Sequence, residues 1–152
     1  MPRISPFLWF DDNAEEAANF YASIFPNSSV DVLSRNPVTG SAFGVTFILD
    51  GQQVLAMNAG PQFSFTEAFS LYVDVETQEE IDYYWNALLA DGGEESRCGW
   101  LKDRFGLSWQ IVPRILGELM SSTDTAAAGR ATQAMLGMSK LVIADLEAAA
   151  AG

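Results

Sequence analysis

The 152-residue sequence contains no histidine and a single cysteine, Cys98. Transition metals in proteins are held by imidazole, thiolate and carboxylate ligands, so a zinc cage built from Cys and His is excluded. One cysteine cannot form an intrachain disulfide, and we expect an intracellular, reducing compartment. A catalytic thiolate is usually activated by a neighbouring base such as histidine, so Cys98 is predicted to be structural.

Positive charge is also scarce, since eight Lys and Arg stand against twenty Asp and Glu, a formal net charge of -12. The cations are scattered, and a phosphate backbone is bound by several neighbouring cations, so nucleic acid is not an expected partner. No apolar run approaches the ~20 residues of a membrane span, and no signal peptide is evident. We therefore expect a soluble, cytoplasmic protein with no membrane partner.

One pattern of residues occurs twice, 64 positions apart. Each copy has an apolar strand, a short polar break and an amphipathic helix. The matching groups are Phe7-Leu8-Trp9-Phe10 with Leu71-Tyr72-Val73-Asp74, Glu15-Glu16 with Glu79-Glu80, and Phe20-Tyr21 with Tyr84-Trp85. The repeat predicts two similar modules that build one site between them.

Hydrophobic periodicity predicts the same element order in both modules: a strand, a helix and three strands. In the first module these elements cover residues 4–10, 14–25, 30–34, 42–49 and 53–57, with Asp50-Gly51 as a hairpin turn. In the second they cover residues 69–75, 78–90, 95–97, 100–104 and 108–112. Helices near residues 115–121, 125–136 and 140–149 follow, and the sequence leaves open whether the last one packs on the domain or on a partner chain.

Four stretches of the sequence carry a resemblance to a known family. They read PFLWFDDNAEEAANFYASIFPNS, GQQVLAMNAGPQFSF, TQEEIDYYW and CGWLKDRFGLSWQIVP, within residues 4–113. These segments resemble the sequences of the PhnB-like proteins of the glyoxalase/bleomycin-resistance (vicinal oxygen chelate) superfamily, which carry the label "3-demethylubiquinone-9 3-methyltransferase domain". The tail over residues 134–147 is similar too, so the resemblance covers nearly the whole chain.

The resemblance implies an α+β fold in which two βαβββ modules form curved mixed sheets around a cup, with C-terminal helices added. We expect one domain over residues 1–152, with modules at about 4–58 and 69–113 and a helical tail at about 114–150. It also implies a homodimer. No Gly-x-Gly-x-x-Gly turn is present to hold S-adenosylmethionine, so the methyltransferase label is read as inherited and no cofactor is expected.

Metal-dependent members of the superfamily place a ligand on the first and last strand of each module. The resemblance puts these positions at Pro6, Ser70, Gln110 and within residues 55–58, where Asn58 is the most polar candidate. None of them is a histidine or a carboxylate, so no transition metal is expected. The sequence leaves open whether a hard cation binds weakly through carbonyl oxygens.

Strand alternation then separates the cup from the outer face. If Pro6 points inward, Leu8 and Phe10 do as well, while Phe7 and Trp9 pack beneath the helix. The same parity directs Ser70, Tyr72 and Gln110 inward and Trp109 outward. The predicted cup is mostly apolar with a few polar groups, as small-molecule pockets generally are. The candidate ligand-binding residues are Leu8, Phe10, Asn58, Ser70, Tyr72, Trp100 and Gln110.

The leading hypothesis is a metal-independent protein that binds a small molecule in this cup. The alternative is a lyase or isomerase in which Glu67, Asp74 or Asp103 enters the cup as a carboxylate with a raised pKa. A third hypothesis is a regulator that binds a partner through its C-terminal helices. Asp103-Arg104 is otherwise predicted to be a solvated hairpin pair, and Asp11-Asp12-Asn13 to cap the first helix.

Overall fold

The computed structural model describes all 152 residues, Met1–Gly152. The chain forms two compact units, Met1–Phe65 and Thr66–Gly152. Each unit carries its own four-stranded mixed sheet, which is open rather than closed into a barrel. The predicted α+β fold with two βαβββ modules and C-terminal helices is confirmed. None of the helices is both long enough and apolar enough to cross a bilayer.

The first unit contains one helix and four strands. The elements are β1 (Phe7–Phe10), α1 (Ala14–Ile24), β2 (Ser29–Arg35), β3 (Ala42–Leu49) and β4 (Gln52–Asn58). The sheet order is β1-β4-β3-β2, in which β1 and β4 run parallel and the other pairs are antiparallel. The predicted turn at Asp50-Gly51 joins β3 to β4. Its φ values of 45° and 82° are both positive, as is typical of a tight two-residue hairpin loop.

The second unit repeats this order and adds three helices. The elements are β5 (Ser70–Val75), α2 (Gln78–Leu89), β6 (Glu94–Glu95), β7 (Trp100–Lys102), β8 (Ser108–Pro113), α3 (Arg114–Met120), α4 (Thr125–Leu136) and α5 (Ile143–Ala151). The sheet order is β5-β8-β7-β6, with β5 and β8 parallel. Strand β7 ends two residues earlier than predicted because Asp103 begins the turn that leads to β8.

In each unit one helix buries one face of the sheet. In the first unit, the buried ring of Tyr21 on α1 lies 6.1 Å from that of Phe47 on β3. In the second unit, Trp85 of α2 is buried, and so is Trp109 of β8. Because side chains alternate along a strand, the residues between the buried ones point to the opposite, open face.

The spacing between the first strand and its helix differs by one residue in the two modules, which we call the phase difference. Tyr21 and Trp85, the central buried residues of their helices, are 64 positions apart, whereas Phe10 and Val75, the buried last residues of β1 and β5, are 65 apart. The link from strand to helix has three residues in the first unit and two in the second. Since a shift of one residue reverses every side chain on a strand, Phe7 rather than Leu8 corresponds to Tyr72.

The first helix is capped by a residue that is distant in the sequence. Asn13 occupies the N-cap position, as the predicted cap by Asp11-Asp12-Asn13 allows, but its side chain makes no capping hydrogen bond. Asn58 Oδ1 instead accepts from the Ala14 amide at 2.8 Å, and its Nδ2 donates to the Ala42 carbonyl at 2.8 Å. Asn58 therefore joins the end of β4 to the start of α1 and to β3.

The C-terminal helices pack on the second unit. Val112 of β8 forms a buried cluster with Leu116, Leu141 and Leu146. The Gln78 side chain at the start of α2 donates to the Leu141 carbonyl at 3.1 Å and accepts from the Ile143 amide at 2.8 Å. Gly99 has a positive φ of 83°, and a Cβ there would lie 3.0 Å from Leu141 Cδ1 and from the Ile111 carbonyl. The C-terminal helices therefore pack on the domain of their own chain.

Asn58→Ala tests the cap between strand and helix. It removes both hydrogen bonds and leaves the Ala14 amide and the Ala42 carbonyl without that partner. We expect the free energy of unfolding to fall by about 1–3 kcal/mol, measured by urea denaturation followed by circular dichroism. The control is Gln52→Ala, an exposed change on the same strand. Equal effects for the two variants would contradict the assignment.

Candidate functional site

The open face of the second sheet collects side chains from three strands. Across β5, β8 and β7 the paired residues on this face are Tyr72 with Gln110, Gln110 with Trp100, Ser70 with Ser108, and Ser108 with Lys102. The face covered by α2 carries Leu101, Trp109 and Ile111, which are all buried. The structure thus brings together four of the predicted site residues: Ser70, Tyr72, Trp100 and Gln110.

The centre of this face is polar and partly accessible. Gln110 Nε2 donates to Ser70 Oγ at 2.9 Å, which leaves the amide oxygen as an acceptor. Tyr72 is 58% exposed. Partial burial, and then the negative charge of Asp74, raise the pKa of the Tyr72 phenol above its usual value. Tyr72 therefore stays protonated at neutral pH and offers a hydrogen-bond donor.

A cavity of about 130 Å³ lies at the β6 side of the second sheet. Ser108 is 1% exposed, and its hydroxyl has no hydrogen-bond partner. A buried polar atom without a partner is uncommon, and often indicates a bound group or water. The lining residues are Glu67, Glu94, Glu95, Ser96, Trp100, Leu101, Lys102 and Ser108.

An ion pair between Lys102 and Glu67 lies at this cavity. The hydrogen bond from Lys102 is the main reason why the pKa of the Glu67 carboxyl falls below its usual value. The same bond, with the charges of Glu67 and Glu94, raises the pKa of the Lys102 ammonium. Both groups are therefore charged at neutral pH. Glu67 is thus a poor candidate for a general acid.

Three predicted site residues lie elsewhere. Leu8 and Phe10 are 2% and 3% exposed on the face of the first sheet that α1 covers, so their predicted inward orientation is wrong. Asn58 serves as the helix cap described above. The one-residue phase difference between the modules is the reason for these corrections. The open face of the first sheet instead presents Phe7, Trp9, Leu55 and Met57.

Asp103 organises the hairpin between β7 and β8 and is not the solvated residue that the sequence predicts. It is 3% exposed, and its Oδ1 accepts from the amides of Phe105 at 2.9 Å and Leu107 at 3.1 Å. Its Oδ2 accepts from Trp109 Nε1 at 2.8 Å. Three donors converge on one carboxylate, so Asp103 fixes the register at which Ser108 and Gln110 reach the open face.

Sequence reasoning missed Lys102, Ser108 and Glu94 as members of this face. Alternation provides the signal that finds them, because Lys102 is two residues beyond Trp100 and Ser108 is two residues before Gln110. Alternation could not identify Glu94, because its position on this face follows from the pairing of the short strand β6 with β7, in which Glu94 lies opposite Lys102.

Comparisons with known proteins agree with this fold. The family described as 3-demethylubiquinone-9 3-methyltransferase matches residues 2–112. A PhnB protein from Bacillus cereus is 36% identical, with a TM-score of 0.68, and the alignment covers 74% of this chain and 99% of that one. No functionally curated protein shows a significant match.

Two further solved structures share the fold at lower identity. A protein from Pseudomonas aeruginosa is 19% identical, with a TM-score of 0.62, over 74% of this chain and 98% of its own. The fosfomycin resistance protein FosX from Listeria monocytogenes, complexed with Mn(II) and sulfate, is 17% identical, with a TM-score of 0.53, over 73% and 91%. At such identity the likeness establishes the fold alone.

The residues at the ligand positions of metal-dependent relatives do not fit a transition metal. In the second unit the family resemblance puts these positions at Ser70 and Gln110, which bond to each other. The phase difference moves the counterpart on the first strand from Pro6 to Ser5. Within the predicted range of residues 55–58 it selects Leu55, the partner of Phe7. Hydroxyl, amide and aliphatic groups are poor partners for zinc, nickel, iron or manganese. No cluster of three or more His, Cys, Asp or Glu side chains is arranged to hold a metal ion.

Elemental analysis of the purified protein checks this donor set. We expect well below one zinc, nickel, iron or manganese per chain, because neither unit offers an imidazole or a carboxylate at these positions. A Ser70→His/Gln110→Glu double variant is the matched positive arm, since these neighbours would present an imidazole and a carboxylate to one ion. One tightly held metal per wild-type chain would contradict this expectation.

Proposed function

This chain belongs to the 3-demethylubiquinone-9 3-methyltransferase family of the glyoxalase/vicinal oxygen chelate superfamily, and we propose that it is a cytoplasmic protein that binds a small organic molecule without a metal. The proposed site is the open face of the second sheet, around Tyr72, Trp100 and Gln110. Ser70 supports this site by holding the Gln110 amide.

One observation carries the proposal: a hydrogen-bonding amide lies between two aromatic side chains on an uncovered sheet. Gln110 is the cross-strand partner of both Tyr72 and Trp100. The Tyr72 phenol is a donor, the Gln110 amide oxygen is an acceptor, and the Trp100 indole supplies an apolar surface. A planar organic molecule with one donor and one acceptor matches this arrangement.

The carboxylates considered for acid-base catalysis have other roles. Glu67 pairs with Lys102, and its pKa is lowered rather than raised. Asp74 pairs with Arg114 at 2.9 Å. Asp103 is occupied by the three donors of its hairpin. A general acid at neutral pH needs a raised pKa, so these contacts favour binding over a lyase or isomerase reaction.

Methyl transfer is not part of the proposal, although the family name contains it. Cofactor binding on a glycine-rich turn requires a Gly-x-Gly-x-x-Gly sequence between a strand and a helix. The corresponding turns here are Asp11-Asp12-Asn13 and Glu76-Thr77, which contain no glycine.

Gln110→Leu tests the binding site. The change keeps the size of the side chain and removes its acceptor, so compounds that bind here should lose about fivefold in affinity, the value of one hydrogen bond. Isothermal titration calorimetry with benzamide, and with aromatic amides and phenols that raise the melting temperature, provides the measurement. Gln52→Leu, in the exposed β3–β4 hairpin, is the control. Equal affinities for both variants would contradict the site.

We also propose a homodimer in which a second copy of the chain covers the open face of the first sheet. This face is apolar: Phe7 is 57% exposed, and the half-buried Trp9, Leu55 and Met57 surround it. Exposed apolar patches of this kind mark interaction surfaces. Two-fold symmetric dimers are the commonest homo-oligomers.

Phe7→Lys tests the dimer. A lysine within an apolar interface should weaken association by at least about thirtyfold, the effect of losing a central contact residue. Sedimentation velocity over a concentration series measures the equilibrium. The control is Tyr83→Lys on α2, which replaces an aromatic residue of similar exposure. A wild-type protein that stays monomeric at all concentrations would overturn the proposal.

A further inference from the structure

The cavity at the β6 side of the second sheet has an unbalanced charge. Its lining includes Glu67, Glu94, Glu95 and Lys102. The Glu95 carboxylate accepts from Trp85 Nε1 at 3.0 Å toward α2, so Glu67 and Glu94 are the carboxylates beside the Lys102 ammonium. Lys102 is paired with Glu67 and lies directly across from Glu94 in the β6–β7 ladder. Two carboxylates thus share one cation. The lining keeps an excess of negative charge.

Ser108 adds a second, independent feature to this cavity. It is buried between Ser70 and Lys102 in the sheet, it lines the cavity, and its Oγ has no partner in the protein. A hydroxyl oxygen has two lone pairs and can accept from an N–H donor. A group that carries several N–H donors would satisfy Ser108 and the carboxylates together.

The size of the cavity indicates which part of a ligand it holds. Its volume of about 130 Å³ is roughly that of four water molecules, and small-molecule pockets are usually ~300–1,000 Å³. It is therefore large enough for an ammonium or guanidinium head with a short stem. Trp100 lines the cavity and also belongs to the open face, and an indole face attracts cations.

We infer that the ligand of this site is a small organic cation, an amine or guanidine whose charged head enters the cavity beside Glu94 and Ser108 while its apolar body lies along Trp100. The inference rests on the proposed function and names the chemical class of its ligand. The net charge of -12 acts in the same direction, because it attracts cations and repels anions.

Three probes that share a phenethyl group test the class of ligand. Phenethylamine, 2-phenylethanol and 3-phenylpropionate share an aromatic body and differ in charge. By isothermal titration calorimetry of the full chain, we expect phenethylamine to bind at least about fivefold more tightly than the alcohol, as partly exposed ion pairs allow. The carboxylate should bind most weakly. Added salt should lower the affinity for the amine and leave the affinity for the alcohol unchanged.

Variants place the charge in the cavity. Glu94→Gln should reduce the preference for the amine over the alcohol. Ser108→Ala should lower the affinity for the amine without lowering the melting temperature of the protein. Glu79→Gln removes one negative charge from the exposed side of α2 and is the control for net charge. An equal effect of Glu79→Gln and Glu94→Gln would overturn the inference, because it would assign the preference to the overall field.

The outcomes separate this inference from the proposed function. If the alcohol binds as tightly as the amine and Gln110→Leu weakens both, the site stands and its preference for cations is wrong. If none of the three probes binds at millimolar concentration, the inference is overturned, while the proposed site is still judged by the aromatic amides. If the carboxylate binds most tightly, Lys102 rather than the glutamates governs the cavity, which also overturns the inference.

Discussion

The burial of one sheet face beneath one helix is the constraint on which the rest of this structure depends. In each unit the helix supplies an apolar stripe centred on a large aromatic residue, Tyr21 in one and Trp85 in the other. The strands must turn their apolar positions toward that stripe. Because side chains alternate along a strand, this choice also fixes which residues face outward. The chemistry of the open faces is therefore a consequence of core packing.

The two units use the same architecture to present different surfaces. A strand-to-helix link that is one residue longer in the first unit shifts β1 against its helix. The open face of the first sheet is consequently apolar, with Phe7 and Leu55 at the positions where the second has Tyr72 and Gln110. We propose that the first face meets a partner chain and the second a small organic ligand. A duplicated module has in this way acquired two surfaces with different chemistry.

The stretch over residues 98–113 combines precise backbone geometry with the proposed site. Gly99 permits the close approach of Leu141, and Asp103 holds the turn through Leu107 and Trp109. These contacts set the register of β8 against β7. As a result Trp100 and Gln110 are neighbours on the open face. The same residues that stabilise the hairpin thereby position the groups proposed to meet a ligand.

Sequence patterns by themselves determined the order of the elements, the duplicated modules and the helical tail, because hydrophobic periodicity and turn residues are local signals. Strand parity, together with the family resemblance, also placed Ser70, Tyr72 and Gln110 on one face. Only the tertiary structure decided that Leu8 and Phe10 are core and that Asn58 caps α1. Only it paired Glu94 with Lys102 and buried Asp103. These features depend on the phase between a strand and its helix, and on contacts between residues distant in the chain, which a local pattern does not record.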